Sequence, residues 1–288
     1  MIVITGATGA LGSRVIDSLL ERVPADQVGV SVRNPAKAAA LSDRGVRVRA
    51  GDFTDPASLE HAFDGADQVL VVSAAIRGGS AFDANRAAID AAVIAGASRV
   101  LYTSHQAASP DSLFAPQTVH AQTQDYLAEQ GVAFAALSNG FYASSLGIHL
   151  DDALSTGTIV TPQDGPVSWT AHPDLAEAAV AVLLDTSITG VTPPLTAGET
   201  LDLPAVARLL TEITGREITH LAVGDDEWTA LAIERGMPPA VADFSLGMFL
   251  AARRGEFAAT GPLLEDLIGR PTTPVRAVLE SLIEKRAR

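Results

Sequence analysis

The first half of the chain alternates short apolar, β-branched segments with alanine- and leucine-rich segments that have helical spacing. The predicted strands are residues 2–5, 28–32, 46–49, 68–72, 99–103 and 133–137. The predicted helices between them are residues 11–23, 35–43, 56–63, 81–95 and 116–130. Strands that alternate with helices of this length are typical of βαβ units. The pattern therefore predicts an α/β fold built on a parallel sheet.

The pattern changes after about residue 138. Residues 140–170 are rich in Gly, Ser, Thr and Asp, with only short apolar segments. Beyond them we predict helices at 173–185, 203–214, 226–235, 239–253 and 273–286, and short strands at 158–161, 194–197 and 218–221. We therefore divide the chain into a sheet domain, residues 1–140, and a smaller, mostly helical lobe, residues 141–288. This division allows segments of the smaller lobe to add strands to the main sheet.

Composition and charge narrow the range of functions. The 288 residues are 47% hydrophobic, which excludes a mostly disordered protein, and the chain has no cysteine for disulfides, thiolate catalysis or zinc. The net charge of −14 disfavours nucleic acid and anionic membranes as partners. The first residues lack the basic region of a signal peptide, and the apolar stretch 175–184 is too short to span a bilayer. We expect a soluble cytoplasmic protein.

The clearest chemical motif is the segment 5–12, Thr-Gly-Ala-Thr-Gly-Ala-Leu-Gly, between the first strand and the first helix. Gly6 permits the turn, Gly9 lets the backbone approach a pyrophosphate, and Gly12 allows close packing of the helix on the sheet. The helix N-terminus then offers main-chain N–H groups to an anion. A glycine cluster can simply mark a turn. The flanking strand and helix and the further βαβ units favour nucleotide binding.

The end of the second predicted strand indicates which dinucleotide binds. An NAD site usually has a carboxylate there, whereas this chain has Arg33, with Lys37 close behind. Arg33 suits a 2′-phosphate, so the segment favours NADP(H); the alternative is a solvated residue at a strand end. Asp52 is a candidate acceptor for the adenine amino group with Phe53 beside the ring, and ordinary turn chemistry is the equal alternative.

Five segments together resemble the NmrA-like branch of the atypical short-chain dehydrogenases/reductases: 6–12, 32–37, 51–53, 102–104 and 138–142. The resemblance extends to residues 267–274 and so covers essentially the whole chain. It implies a Rossmann-type doubly wound parallel sheet that binds NADPH, and a second lobe that binds the substrate. The cofactor-binding residues predicted from the motifs and the resemblance are Gly6, Thr8, Gly9, Ala10, Leu11, Gly12, Arg33, Lys37, Asp52, Phe53, Ser73, Ala74, Thr103, Ser104, His105, Asn139, Gly140 and Phe141.

The usual catalytic acid of short-chain dehydrogenases, a Tyr-x-x-x-Lys pair, is absent. The residues four positions after the three tyrosines are two glutamines and a leucine. Reduction of a quinone needs less help, because hydride addition gives a delocalised anion that water can protonate. We therefore predict an NADPH-dependent oxidoreductase that transfers hydride to a quinone or a similar conjugated aromatic acceptor. The six histidines lack metal-ligand spacing, so we expect no metal.

His120 and Tyr142 are the candidate catalytic residues. By the resemblance, His120 faces the site from its helix, where it would orient the acceptor or donate a proton; a structural role is the alternative. Phe141, Tyr142 and Trp169 are candidates for the wall of a flat apolar pocket, and a place in the core is at least as good an interpretation. His105 lies at a strand end, a position typical of functional residues.

A second hypothesis belongs to a different class. Ser138 and Gln124 stand where the resemblance has arginine and glutamate. With the missing Tyr–Lys pair, they suit a non-catalytic, NADP(H)-sensing regulatory protein of the NmrA type that binds a protein partner. A homodimer is one alternative for the oligomeric state.

Overall fold

The segments predicted as strands in the first half form a parallel sheet. The computed structural model describes residues 1–74 and 80–287. Its nine strands are β1 (Ile2–Thr5), β2 (Val28–Val32), β3 (Arg47–Ala50), β4 (Gln68–Val71), β5 (Arg99–His105), β6 (Ala133–Asn139), β7 (Thr158–Pro162), β8 (Gly190–Val191) and β9 (Thr219–Val223). Seven of them pair in the order β3-β2-β1-β4-β5-β6-β8, and every neighbouring pair is parallel. This order is that of a Rossmann fold, which confirms the predicted fold class.

Helices cover both faces of this sheet. They are α1 (Gly12–Leu20), α2 (Ala39–Asp43), α3 (Pro56–Phe63), α4 (Ala81–Ile94), α5 (Ala115–Ala128), α6 (Leu150–Thr156), α7 (His172–Leu184), α8 (Leu203–Thr214), α9 (Asp225–Glu234), α10 (Pro239–Arg253), α11 (Leu263–Ile268) and α12 (Val275–Ala287). On one face α1 and α7 pack together through residues such as Leu19 and Leu175. On the other, α3, α4 and α5 bury Phe63, Ile89 and Leu127.

The smaller lobe has its own core and a short sheet. β7 and β9 pair in parallel, and the apolar side chains of α6, α8, α10 and α12 pack beside them, including Leu150, Leu210, Phe249 and Leu279. Segments beyond residue 141 also return to the main sheet, since β8 pairs with β6. The domain division at residue 140 stays a prediction. Within the residues that the structure describes, no helix is both long and apolar enough to cross a bilayer.

The structure corrects two predicted elements and adds two helices. The strand predicted at 194–197 is wrong: the seventh strand is Gly190–Val191, and Leu195 forms only an isolated bridge with Asn139. Pro193 and Pro194 have no N–H to donate, so the ladder cannot continue through them. The segment predicted as a helix at 35–43 begins as a 3₁₀ turn, Pro35–Ala38, before α2. Helices α6 and α11 were not predicted, because each is only six or seven residues long.

Candidate functional site

A cleft of about 370 Å³ opens at the carboxyl edge of the main sheet. It lies where the strand order reverses, between the loops that follow β1 and β4, and the ends of β5 and β6 border it. Open α/β sheets bind ligands at this kind of switch point. The cleft is lined by Gly6, Gly9, Ala10, Leu11, Gly12, Val72, Ser73, Ala74, Ser104, His105, Pro116, His120, Tyr142 and His172.

The glycine loop has the geometry of a diphosphate site. Gly6 has a φ of +62°, and Gly9 donates its N–H to the Gly6 carbonyl oxygen at 2.9 Å. A Cβ atom on Gly12 would lie far inside van der Waals contact with that same oxygen. Within the described part of the chain, the N–H groups of Ala10 and Leu11 donate to no main-chain carbonyl. With no acidic residue in the first turn of α1, this loop fits the phosphates of a dinucleotide.

The predicted adenine end lies at the carboxyl ends of β2 and β3. Arg33 is exposed and, among the described residues, forms no ion pair within 4 Å, so its guanidinium is available to an anion. Asp52 accepts hydrogen bonds from the N–H and hydroxyl of Thr54, at 2.9 and 2.8 Å. These bonds, helped by the charge of Arg33, lower the pKa of Asp52. These two hydrogen bonds are the ordinary turn contacts that the alternative interpretation of Asp52 expects. Contacts of Lys37, Asp52 and Phe53 with adenosine stay predictions.

Several of the predicted residues lie behind the cleft instead of lining it. Thr103 is buried, and its hydroxyl accepts the N–H of Ser73 at 2.8 Å, which holds the loop after β4. Asn139 is also buried, and its side-chain amide has no hydrogen-bond partner among the described residues. Gly140 is required for packing, because a Cβ there would collide with the Thr170 hydroxyl. Thr8 is exposed beside the glycine loop.

The aromatic residues predicted as a pocket wall separate into two groups. Trp169 is 4% exposed, donates its indole N–H to the Leu201 carbonyl at 2.9 Å, and so belongs to the core of the smaller lobe. Phe141 packs edge-on against Trp169 and Phe257, with ring centroids 5.3 and 5.0 Å apart. Tyr142 does line the cleft, where its ring lies 4.3 Å from that of His172. Burial raises the pKa of Tyr142, so it keeps its proton.

Two neutral histidines lie side by side in the cleft. The rings of His105 and His120 are stacked with centroids 6.2 Å apart. Burial lowers the pKa of His120 to about 4, and burial with the neighbouring His120 lowers the pKa of His105 well below its usual range. His105 accepts the N–H of Ala107 on Nδ1 at 3.2 Å. At neutral pH both rings are hydrogen-bonding groups rather than cationic acids.

Two positions that depart from the resemblance have structural partners. Gln124 donates its side-chain N–H to the Ser104 hydroxyl at 2.7 Å, and Ser104 lines the cleft. Ser138 is buried and donates its hydroxyl to the Thr192 carbonyl at 2.8 Å, which attaches the segment after β8 to β6.

Sequence reasoning missed two lining residues, Pro116 and His172. Pro116 is the second residue of α5, and its place at a helix start was a signal that could have found it. His172 opens α7, far along the chain from the glycine loop, and no local motif marks it. Only the return of α7 to α1 places it at the cleft.

The buried histidines make stability depend on pH. Burial lowers the pKa of His149 and His172 to about 4, as it does for His120. The unfolded chain protonates these rings near pH 6.5, so between about pH 6.5 and 4 it binds more protons than the folded chain. This difference in pKa is worth about 3 kcal/mol for each ring, so we expect the free energy of unfolding to decrease by about 3–10 kcal/mol from pH 7 to pH 4. Urea titrations at several pH values measure the free energy of unfolding, and its decrease should be smaller in His149→Asn than in the wild type. A free energy of unfolding that is constant or rises toward pH 4 contradicts the expectation.

A parallel sheet with a glycine loop and a ligand cleft at its switch point defines the class of dinucleotide-binding α/β proteins. A family model described as NAD(P)H-binding matches residues 6–186. The chain is 34% identical to quinone oxidoreductase 2 of Escherichia coli over 276 residues, which is 95% of each chain. It is 26% identical to an NmrA-like family domain-containing oxidoreductase of Aspergillus flavus, over 98% of this chain and 95% of that protein.

Solved structures of similar proteins have the same fold. The crystal structure of the Escherichia coli quinone oxidoreductase 2 complexed with NADPH superposes with a TM-score of 0.93 at 32% identity, covering 98% of this chain and 100% of that one. Triphenylmethane reductase of Citrobacter sp., complexed with NADP(H), gives 0.88 at 30% identity, with 99% of each chain covered. The chain belongs to the NAD(P)H-binding family. It is an NAD(P)H-dependent reductase with a small-molecule substrate.

Proposed function

We propose that this reductase uses NADPH to reduce a quinone or a similar conjugated aromatic acceptor. The observation that carries the proposal is the polar lining of the cleft. It offers neutral imidazoles and a protonated tyrosine beside the glycine loop, and no lysine among the described residues that line it. Such a site can position and hydrogen-bond an acceptor, but the described residues that line it include no strong acid for an alkoxide.

The cofactor half of the proposal depends on main-chain donors and Arg33. The N–H groups at the start of α1 are directed to the region where the diphosphate would lie, and they give an acidic protein a local anion site. Arg33 at the end of β2 would hold a 2′-phosphate by charge-assisted hydrogen bonds. Ser73, Ala74, Ser104 and Tyr142 surround the far end of the cleft, where the nicotinamide ring would lie.

The proposed acceptor depends on the scarcity of lysine in this chain. The whole sequence has two lysines, Lys37 and Lys285, and neither lines the cleft. When bound, NADPH supplies the hydride. His105 and His120 would orient the acceptor by hydrogen bonds to its oxygen, and water would protonate the delocalised product anion. The names of the relatives, a quinone oxidoreductase and a triphenylmethane reductase, support an acceptor of this kind.

Cofactor oxidation with a panel of acceptors tests the proposal. NADPH consumption is followed with simple quinones, triphenylmethane dyes and, as the contrast, aliphatic ketones. We expect turnover with the conjugated acceptors and none with the ketones. Binding of NADPH without turnover of any quinone or dye would overturn the acceptor assignment and favour the sensing hypothesis.

Replacing Arg33 by alanine tests the role of the 2′-phosphate. A lost charge-assisted contact is worth about 1.5–3 kcal/mol, so we expect the Kd for NADPH to rise about 10- to 100-fold. The Kd for NADH, which has no 2′-phosphate, should change less than about threefold. Fluorescence titration of both cofactors gives the comparison. Arg22→Ala, two residues beyond the C-terminal end of α1, is the control. Equal losses for the two cofactors would contradict the role.

A further inference from the structure

A buried chain of hydrogen bonds runs behind the cleft to His120. It begins at Ala74, whose N–H donates to Oδ1 of Asn85 at 2.9 Å. Nδ2 of Asn85 lies 3.1 Å from the hydroxyl of Tyr102, and that hydroxyl lies 2.8 Å from Nδ1 of His120. Asn85 and Tyr102 are both 0% exposed and His120 is 7% exposed. The proposed function explains His120 but gives no role to the other two side chains.

The direction of every bond in this chain follows from its first member. A main-chain N–H can only donate, so Asn85 must turn its carbonyl oxygen toward Ala74 and its NH₂ group toward Tyr102. The Tyr102 oxygen accepts from that NH₂ group, and of the two groups hydrogen-bonded to this hydroxyl only Nδ1 of His120 can accept its hydrogen. Because Nδ1 accepts, the proton of the neutral imidazole must be on Nε2.

A neighbouring hydroxyl supports this direction. Thr123 lies 3.4 Å from Nδ2 of Asn85, and its hydroxyl hydrogen is already donated to the Val119 carbonyl at 2.8 Å. Thr123 can therefore only accept from Asn85, which again requires the NH₂ group on that side. Among the described residues, no charged side chain hydrogen-bonds to Asn85, Tyr102 or His120, so the chain of bonds orders hydrogens without an ion pair.

We propose that Asn85 and Tyr102 are positioning residues that hold His120 in its Nε2–H form, so that the ring offers a hydrogen-bond donor to the acceptor in the cleft. Nδ1 is occupied by Tyr102, which leaves Nε2 as the one polar atom of His120 available to a ligand. His105 is held in the same form by the N–H of Ala107 on its Nδ1. Two imidazole N–H groups then face one substrate oxygen. The inference rests on the proposed function for the identity of that oxygen.

Burial supports the assignment. It raises the pKa of Tyr102 far above its usual value and lowers the pKa of His120 to about 4. Tyr102 therefore stays protonated and His120 stays neutral throughout the neutral range. The arrangement orients a donor; it does not relay a charge.

The substitution Asn85→Asp replaces the NH₂ donor that faces Tyr102 by a hydrogen-bond acceptor. The introduced carboxylate, when ionised, can still accept from Ala74, but it can no longer donate to Tyr102. The Tyr102 hydroxyl should turn to the carboxylate, and its oxygen should then accept a hydrogen from Nδ1 of His120. We expect long-range ¹H–¹⁵N spectra of the cofactor-free protein to show His120 protonated on Nε2 in the wild type and on Nδ1 in the variant at pH 9. The alkaline pH keeps the buried carboxylate ionised.

Kinetics give a second measurement. In Asn85→Asp we expect kcat to fall about 10-fold, as for loss of one hydrogen-bond donor at the reacting group, with the Kd for NADPH within about twofold of wild type. Asp90→Asn is the matched control. Asp90 lies on the same helix, α4, and accepts from the Tyr126 hydroxyl on α5. Asp90→Asn therefore also exchanges a carboxylate and an amide, but at a different contact of α4. The control should change neither the protonated nitrogen of His120 nor kcat.

Two results would overturn the inference: a wild-type His120 protonated on Nδ1, or the same protonated nitrogen in wild type and Asn85→Asp. If Asn85→Asp does not fold, the wild-type spectrum still decides. Tyr102→Phe, which keeps the buried ring, should also lower kcat with little change in the Kd for NADPH. If the wild type reduces no quinone or dye, the proposed function fails, whereas the position of the proton on His120 is read without any acceptor.

Discussion

Alanine in place of Gly12 is expected to raise the Kd for NADPH about 100-fold. The added Cβ would overlap the Gly6 carbonyl oxygen, and that oxygen already accepts the N–H of Gly9. Either the turn or the start of α1 must move. Overpacking of this kind costs about 1–3 kcal/mol, and it acts on the main-chain donors that are to hold the diphosphate. Isothermal titration calorimetry with NADPH measures the loss.

Gly224→Ala is the control for this substitution. Gly224 is likewise at the start of a helix, as the N-cap of α9, but it has a negative φ of −63° and no atom within 4 Å of the Cβ position. We expect it to leave cofactor affinity unchanged. If Gly12→Ala binds NADPH as tightly as this control, the glycine loop does not form the phosphate site.

Removal of Asp174 should have the largest effect on stability. This carboxylate is 0% exposed and accepts from Arg270 at 2.8 Å and from the N–H and hydroxyl of Thr273 at 2.7 and 2.9 Å. It attaches the segment between α11 and α12 to α7, and hence to the main sheet. Asp174→Ala leaves the part-buried donors of Thr273 without an acceptor and removes one of the two carboxylates that hold Arg270, so we expect a loss of about 2–4 kcal/mol in the free energy of unfolding.

Chemical denaturation of Asp174→Ala and Glu177→Ala gives the comparison. Glu177 also accepts from Arg270, at 2.6 Å, but it is 31% exposed. Exposed ion pairs contribute up to about 1 kcal/mol, so Glu177→Ala should be destabilised far less. Equal losses in the two variants would show that burial of Asp174 is not what makes its contacts important.

Much of the Rossmann half was predictable because its signals are local. Strands buried on both faces are continuous apolar segments, and six of them were located within one or two residues of their observed starts. The glycine loop was recognisable for the same reason, since a turn with positive φ at Gly6 and close packing at Gly12 each need glycine.

The smaller lobe was less predictable because its contacts are distant in sequence. β8 has only two residues and is defined by its pairing with β6, so no period of two can mark it. Trp169 and Phe141 are aromatic residues near the cleft, and only packing separates a core side chain from a pocket wall. Asn85 was passed over because an asparagine inside an alanine-rich helix has no local pattern that assigns its partners.

Residue types and their spacing are enough to define the parallel α/β architecture, the dinucleotide loop and the absence of a Tyr–Lys acid, because each depends on one strand–turn–helix unit. Which side chains meet at the cleft depends on the packing of the whole chain, because α5, α7 and the end of β6 reach it from distant parts of the sequence. The same is true of the hydrogen-bond direction from Ala74 to His120, since a donor or acceptor acquires its partner only when strands and helices pack together.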